Sequence, residues 1–491
     1  MSVKYNFKLK PFDHQLAALD KARGKKEFGY FMEMGTGKSK VLIDELGMLF
    51  LAGQINFALI IAPKGVYRNW VAKEIPEHMS DDVSHRVIRW VSSPNKKQKA
   101  EIQSVKEPFS GLTIFVMNVE SFSTVKGRVA GEWMSNSLGN YGLIAVDEST
   151  TIKNHRAKRS KNLMKIAQGF NYKRILTGSP ITKSPMDIFA QTELLRKGLL
   201  GYESYFHFQF RYGVVAKRSF GARSFTQIVG YKNLDELTER IDTFAYRVLK
   251  QDCLDLPEKT YTARYVSLTD EQARMYQDLQ KKAMLLLDDG EMVTAPAVIT
   301  QMIRIQQVLS GHLKTDDGEM RYFTSKRMNA LEEITEEHNG KAIIWSRFRY
   351  DIQQIVSMLN KKFGEGTAAS FYGDTSDNQR QRIVESFQDK KSPLRFFVGN
   401  PATAGYGITL TEANLVVYYA NDYNLETRIQ SEDRAHRIGQ TNRVTYIDLI
   451  SEGTIDEKIV NALRNKINIG AIVLGEEARQ WLSLDPQGTM I

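Results

Sequence analysis

The chain has 491 residues, of which 42% are hydrophobic, 25% charged and 10% aromatic; at ~150 residues per domain that is room for about three domains with buried cores, outside the disordered range. No apolar run approaches the ~18 residues of a membrane span. The opening MSVKYNFKLK lacks the apolar centre of a signal peptide, and the single Cys253 excludes an internal disulfide framework or a cysteine zinc site.

Sixty-seven Lys and Arg against 57 Asp and Glu leave +10, a balance that favours a polyanionic partner. In chain order, β-branched or aromatic runs at 28–32, 57–62, 113–117, 143–146 and 174–176 each end at a turn signal. Further runs at 342–345, 396–398, 415–419 and 444–449 repeat the pattern, with helix-period segments between them. Near-continuous apolar strands alternating with helices describe parallel sheets covered on both faces. The expected fold is therefore α/β, two parallel-sheet lobes in tandem. Helical spacing dominates from about 186 to 250 and from about 270 to 335, where Tyr276, Leu279, Ala283 and Leu286 share a helix face. These stretches read as helical insertions, and LDLPEKT (254–260) as the crossing between lobes spanning 1–252 and 253–491.

The strongest local signal is Met34-Gly35-Thr36-Gly37-Lys38-Ser39, between an apolar run and a helical segment. Glycines let the backbone curl so that its N–H groups face phosphate oxygens. Lys38 would reach the β and γ phosphates, and Ser39 would join a Mg²⁺ shell. Met32 stands where the general pattern has glycine, so the loop is a variant. Hydrolysis of ATP further needs a metal-holding carboxylate and a group that orients water. Asp147 and Glu148 follow the run 143–146, where a parallel strand delivers side chains to a nucleotide crevice. Two acids there can also cap a helix; beside the phosphate loop, Asp147 is assigned to Mg²⁺ and Glu148 to the water. Upstream, Phe12 and Gln15 are candidates to stack on and hydrogen-bond an adenine.

In the second half, Gln430, Arg434 and Arg437 fall at i, i+4 and i+7, the spacing of one helix face. They follow a glycine-rich segment containing Thr403, Gly405 and Gly407, whose glycines join the nucleotide-binding candidates. Such arginines are candidate fingers for charge on the transferring phosphoryl group.

These segments together resemble the Swi/Snf type of superfamily-two helicase-like ATPases. The resemblance runs from about residue 9 to 459 through MGTGKS (34–39), LIIAPKGVYRNWVAKEI (59–75), VMNVESF (116–122), VDESTTIKN (146–154) and LTGSPITKSPMDIF (176–189). It continues through YRVLKQDCLDLPEK (246–259), KAIIWSRFRYDIQQI (341–355), FYGDTSDNQRQRIVESF (371–387), PATAGYGITLTEANLVVYYANDYN (401–424) and QSEDRAHRIGQTNRV (430–444), with His-Arg-Ile-Gly-Gln at 436–440 its most specific mark. Two departures stand out: Ser149-Thr150 replaces the family's usual Ala-His, and Thr409 replaces a common Asn. The resemblance implies RecA-like lobes, ATP and Mg²⁺ as cofactors, and a DNA-dependent ATPase that translocates on duplex DNA without strand separation. Double-stranded DNA would be held by its phosphates, without sequence preference, at Lys64, Arg68, Lys153, Thr177, Ser179, Ser346, Arg347 and Thr403. Lys217, Arg218 and Arg223 would form a gripping hairpin. It also implies a compact phage- or prokaryote-like member, a monomer, working in the cytoplasm. A strand-separating DNA or RNA helicase and a nucleic-acid-binding protein that uses ATP only as a switch remain the alternatives.

Overall fold

The computed structural model describes residues 5–64, 66–181, 184–220, 223–253, 256–288, 295–314, 319–404 and 408–464. The chain divides into two compact units, Met1–Asp255 and Leu256–Ile491. Strands in the first are β1 (Glu27–Met32), β2 (Phe57–Ala62), β3 (His85–Arg89), β4 (Leu112–Asn118), β5 (Gly142–Asp147), β6 (Tyr172–Leu176), β7 (Gly213–Phe220), β8 (Arg223–Tyr231) and β9 (Ala245–Val248). The second holds β10 (Lys259–Val266), β11 (His312–Lys314), β12 (Met320–Tyr322), β13 (Lys341–Ser346), β14 (Ala368–Phe371), β15 (Phe396–Gly399), β16 (Ala413–Ala420) and β17 (Val444–Ser451).

Seven strands of the first unit form one parallel sheet in the order β3-β4-β2-β5-β6-β1-β9. Every residue of β2, β4 and β5 is buried, as expected for strands covered on both faces. Because β6 lies between β5 and β1, the segments leaving these three strands emerge side by side. Leu176 pairs with both Tyr30 and Asp147, which fixes the register at that edge. The second unit repeats the design with six parallel strands, β10-β17-β16-β13-β15-β14. Its apolar strands fill two layers of core, one around Ile344, Val398 and Val417, the other around Trp345, Phe397 and Tyr418.

The insertions are less helical than the sequence suggests. Between 186 and 250 the helices Asp187–Leu195, Tyr205–Tyr212 and Leu234–Asp242 share the space with the antiparallel hairpin β7–β8 and with β9, which extends the main sheet. The hairpin falls where Lys217, Arg218 and Arg223 were expected to make one. In the second insertion, Tyr276, Leu279 and Ala283 of the helix Asp270–Asp288 are buried against Met302, Ile305 and Ile459. No helix among the described residues is long and apolar enough to cross a membrane.

Candidate active site

The loop between β1 and the helix Lys38–Leu51 is shaped by contacts from outside it. Gly35 and Gly37 have φ of 81° and 86°, in the left-handed region. A Cβ on Gly37 would lie 2.2 Å from Nε2 of Gln15, so only glycine fits there. Gln15 donates from Nε2 to the Thr36 carbonyl at 3.0 Å, and His14 Nε2 lies 2.8 Å from the same oxygen. Since a trans peptide sets C=O and N–H on opposite sides, holding the Thr36 carbonyl turns the Gly37 N–H the other way. Thr36 Oγ1 donates to the Glu33 carbonyl at 2.8 Å, and Glu33 Oε2 accepts from the Lys250 backbone N–H at 2.7 Å. Lys38 Nζ, almost buried, donates to the Glu33 carbonyl at 3.3 Å. Ser39 follows it in the first turn of the helix, half-buried.

Two strands away, β5 ends in Asp147. Its Oδ2 accepts from the buried Trp70 indole Nε1 at 3.0 Å, and its Oδ1 from the Glu148 backbone N–H at 3.0 Å. Burial pushes the Asp147 carboxyl above its ordinary range; the Trp70 hydrogen bond and the Lys38 ammonium pull it back. Lys38 and Asp147 thus feel one another's charge. Glu148 adopts φ 48° and ψ 58°, a left-handed conformation that only Asn233 shares among the described non-glycine residues. For a glutamate this stores ~1–3 kcal/mol, the kind of strain that surroundings maintain at functional sites.

The turn after β6 closes the third side. A Cβ on Gly178 would lie 3.0 Å from the Met34 backbone nitrogen, so this turn rests directly on the phosphate loop. Thr177 is buried and accepts the Ser179 N–H at its hydroxyl, while Ser179 is exposed. Ser149 is fully buried and donates to Gln191 Oε1 at 2.6 Å, and Gln191 Nε2 donates to the Pro180 carbonyl at 2.7 Å. The departure from Ala-His therefore supplies a hydroxyl bridge from the acids to the neighbouring turn.

Two expectations are corrected, on Ser346 and on the arginine face. Gln15 Oε1 also accepts from the Phe12 N–H at 3.0 Å, so each end of its amide makes one hydrogen bond within the chain. It braces the loop, whereas the Phe12 ring is 47% exposed and stacks on His14. Ser346 is fully buried with its hydroxyl donated to Asp351 at 2.7 Å, so it supports the packing of its unit and presents nothing to a phosphate. Gln430, Arg434 and Arg437 do not share one helix face, because the helix Leu425–Glu432 ends first. Arg434 folds back, donating from Nε to the Gln430 carbonyl at 2.9 Å and from Nη1 to the Ile408 carbonyl at 3.2 Å. A side-chain guanidinium thereby satisfies a carbonyl that the last turn leaves unpaired. Arg437, beyond that turn, is half-exposed, and its guanidinium has no hydrogen-bond or ion-pair partner among the described residues.

The remaining candidates lie at strand ends of their own units. Lys64 and Arg68 are exposed after β2. Lys153 faces Asp187 at 3.9 Å, and Arg347 donates to Gln306 at 3.0 Å while stacking on Tyr423. Thr403 is half-buried and donates its backbone N–H to Asn400. Gly405 and Gly407 lie outside the described residues.

Sequence reasoning passed over Trp70, Glu33 and Gln191. Trp70 opens a π-helical turn, Trp70–Glu74, a rare geometry that often marks function. A buried indole N–H needs an acceptor, which was the available clue. The specific segment 436–440 also gains a physical account. His436 Nε2 lies 2.7 Å from the Pro257 carbonyl of the crossing, and Gln440 Nε2 donates to the carbonyls of Thr411, Ala413 and Ala435.

A glycine loop at a strand–helix junction, a lysine at its end and two acids on a neighbouring strand define the class of P-loop ATP hydrolases built on parallel sheets. The description of an SNF2-related domain matches residues 29–313, and that of a helicase conserved C-terminal domain matches residues 326–439. The chain belongs to the SNF2-related family, the Swi/Snf-type ATPases of helicase superfamily two.

It is 26% identical over 462 residues to the putative ATP-dependent helicase/translocase YwqA of Bacillus subtilis, covering 92% of this chain and 46% of that one. It is 25% identical over 394 residues to TATA-binding protein-associated factor MOT1 of Saccharomyces cerevisiae, covering 70% and 21%. The chain thus spans from about a fifth to about half the length of these relatives. Among solved structures it is similar to the Sulfolobus solfataricus SWI2/SNF2 ATPase core in complex with dsDNA, at 24% identity and TM-score 0.42, over 97% of this chain and 96% of that one.

Proposed function

We propose that this chain is a Mg²⁺-dependent, DNA-stimulated ATPase that translocates on duplex DNA, turning over when its two units close on the nucleotide. The observation that carries this reading is the convergence of the braced loop 33–39, Asp147 and the strained Glu148 at the ends of adjoining strands. The backbone N–H groups and Lys38 would hold the phosphates of MgATP, and Ser39 and Asp147 would ligate its cation. Glu148 would accept the proton of the attacking water. Arg437, whose guanidinium is uncommitted among the described residues, would supply charge to the γ-phosphoryl group from the second unit.

Lys64 and Arg68 lie on the segment that ends in Trp70, the partner of Asp147. Phosphate contacts on that segment would therefore reach the metal-holding carboxylate through one hydrogen bond, a physical route for DNA stimulation. The YwqA relative is named a helicase/translocase, which supports a nucleic-acid partner here.

The test is ATP turnover without nucleic acid and with single-stranded DNA, duplex DNA or RNA, beside triplex-displacement and unwinding assays. Strong stimulation by duplex with triplex displacement is expected. Turnover indifferent to DNA contradicts the proposal, and unwinding without triplex displacement replaces it with a strand-separating helicase.

A further inference from the structure

The first unit carries an aromatic surface that the ATPase chemistry does not use. The helix Tyr205–Tyr212 reads YFHFQFRY, with rings at alternate positions. Phe208 and Tyr212 point inward and are fully buried, their rings packed at a tilt with centroids 4.8 Å apart. Phe206 and Phe210, one turn apart on the other face, are 72% and 68% exposed. Two neighbouring phenylalanines in water are an unusual expense of apolar area for a surface helix, and they invite a partner.

They border a groove of about 950 Å³, whose opposite wall is the segment 153–156 that follows the acids of the active site. That volume is at the upper end of the ~300–1,000 Å³ typical of ligand sites and holds more than one nucleotide. Lys153, His155 and Arg156 line the wall, and Tyr205 stacks on His155 with ring centroids 4.1 Å apart. The surroundings are cationic: burial and the charges of Arg156 and Lys161 hold His155 below its ordinary value. Lys232 lies 5.4 Å over the Phe210 ring. Asp187, which also lines the groove, faces Lys153 at 3.9 Å, and Glu236 pairs with Arg211 and Arg240. Arg156 therefore carries the groove's net positive charge, and Lys153 meets a phosphate only by leaving Asp187.

Exposed rings beside cations match the alternation of base and phosphate along an unpaired strand, in which each base offers a π-face and each linkage a negative charge. A closed duplex keeps its base faces stacked and cannot use the rings this way. A protein partner would favour the apolar rings but not the positive rim.

We infer that the groove between segment 153–156 and the helix Tyr205–Tyr212 binds unpaired nucleotides of a DNA strand, bases against Phe206 and Phe210 and phosphates against Lys153 and Arg156. This rests on the proposed DNA-bound function and adds to it a site for single-stranded segments, so that gapped or forked DNA is the preferred substrate.

The experiment compares the full chain with F206A/F210A and F206W/F210W. Fluorescence anisotropy is measured on blunt duplex, gapped duplex and single-stranded DNA, with 2-aminopurine in the unpaired stretch reporting stacking. Thermal unfolding establishes that each variant is folded, as expected for exposed positions. The parent is expected to favour gapped over blunt duplex. F206A/F210A should lose single-strand affinity by about 5- to 150-fold per stacked base, keep blunt-duplex affinity within twofold and abolish the 2-aminopurine change; F206W/F210W should retain all three. A folded F206A/F210A that binds single strands like the parent, or that loses every DNA equally, overturns the inference. ATP turnover of the parent on blunt duplex is read separately. Its absence with a lost single-strand preference would sink the translocase reading alone, and its presence with unchanged single-strand binding would sink this site alone.

Discussion

The two units share an architecture, and each buries a scaffold ion pair, Arg174–Glu45 in the first and Arg428–Asp448 in the second, but only the first adds a further set of buried polar contacts around one loop. In the first, buried polar contacts converge on one place: Gln15 and His14 on the Thr36 carbonyl, Trp70 on Asp147, and Ser149 through Gln191 on the Pro180 carbonyl. In the second, the same chemistry is consumed by the scaffold. Arg428 is buried beneath Tyr418, pairs with Asp448 at 2.5 Å and with Glu432 at 2.8 Å, and donates to Asn421. Arg434 caps its own helix. The first unit thus gathers polar contacts around the glycine loop and the two acids, and the second leaves Arg437 uncommitted among its described residues.

The contrast is broken most severely at that arginine. Arg437→Ala should lower DNA-stimulated kcat by ~10³ or more if it stabilises the transferring phosphoryl group. Its unfolding midpoint should match the parent's in a denaturant titration, since no partner among the described residues is lost. In the first unit, Glu148→Gln should lower kcat by ~10²–10⁴ with ATP affinity preserved, checked by steady-state kinetics beside nucleotide binding.

Arg428→Ala should behave oppositely. Removing it leaves Asp448 to Arg464 and Asn421 and Glu432 to Lys259 and Tyr261, so the loss should stay below the ~3–5 kcal/mol of a fully stranded buried charge, read as a lower midpoint for the second unit. Smaller still, Trp70→Phe keeps the buried ring but removes the donor to Asp147. A hydrogen bond to a charged group contributes ~1.5–3 kcal/mol, so kcat on duplex DNA should fall about tenfold or somewhat more while duplex affinity is retained.

Acid provides the gentlest probe. Burial alone would raise the Asp448 carboxyl, but Arg428 outweighs it and holds the group below its ordinary value. An unfolded aspartate titrates near ~3.9. The stabilisation is complete above that pH and is lost progressively as pH falls through the depressed folded value. Asp147 has the opposite shift, raised first by burial, so acid does not withdraw stability through it. The denaturant midpoint of the second unit should therefore fall as pH drops below about 4, and Arg428→Ala should flatten that fall.

The fully buried strands were legible because their apolar runs have no other use. Strand β3, reading HRVIR, was not, since an edge strand half-open to water can carry charges, and neither was β9, only four residues long. The phosphate loop and the acids could be read because backbone chemistry fixes their residue types. What supports them could not, because Trp70 and Asp147 lie 77 residues apart and meet only through the order of the strands. The arginine face failed for a local reason: the i, i+4, i+7 spacing presumes a continuing helix, and Arg434 caps the one that ends at Glu432.

The most direct measurement is ATP turnover by the parent and by Arg437→Ala, each with and without blunt duplex DNA. Preorganisation in one unit and completion by the other predict a parent strongly accelerated by duplex and a variant that duplex scarcely accelerates, with nucleotide binding intact. A variant that keeps duplex-stimulated turnover within tenfold of the parent would contradict the account.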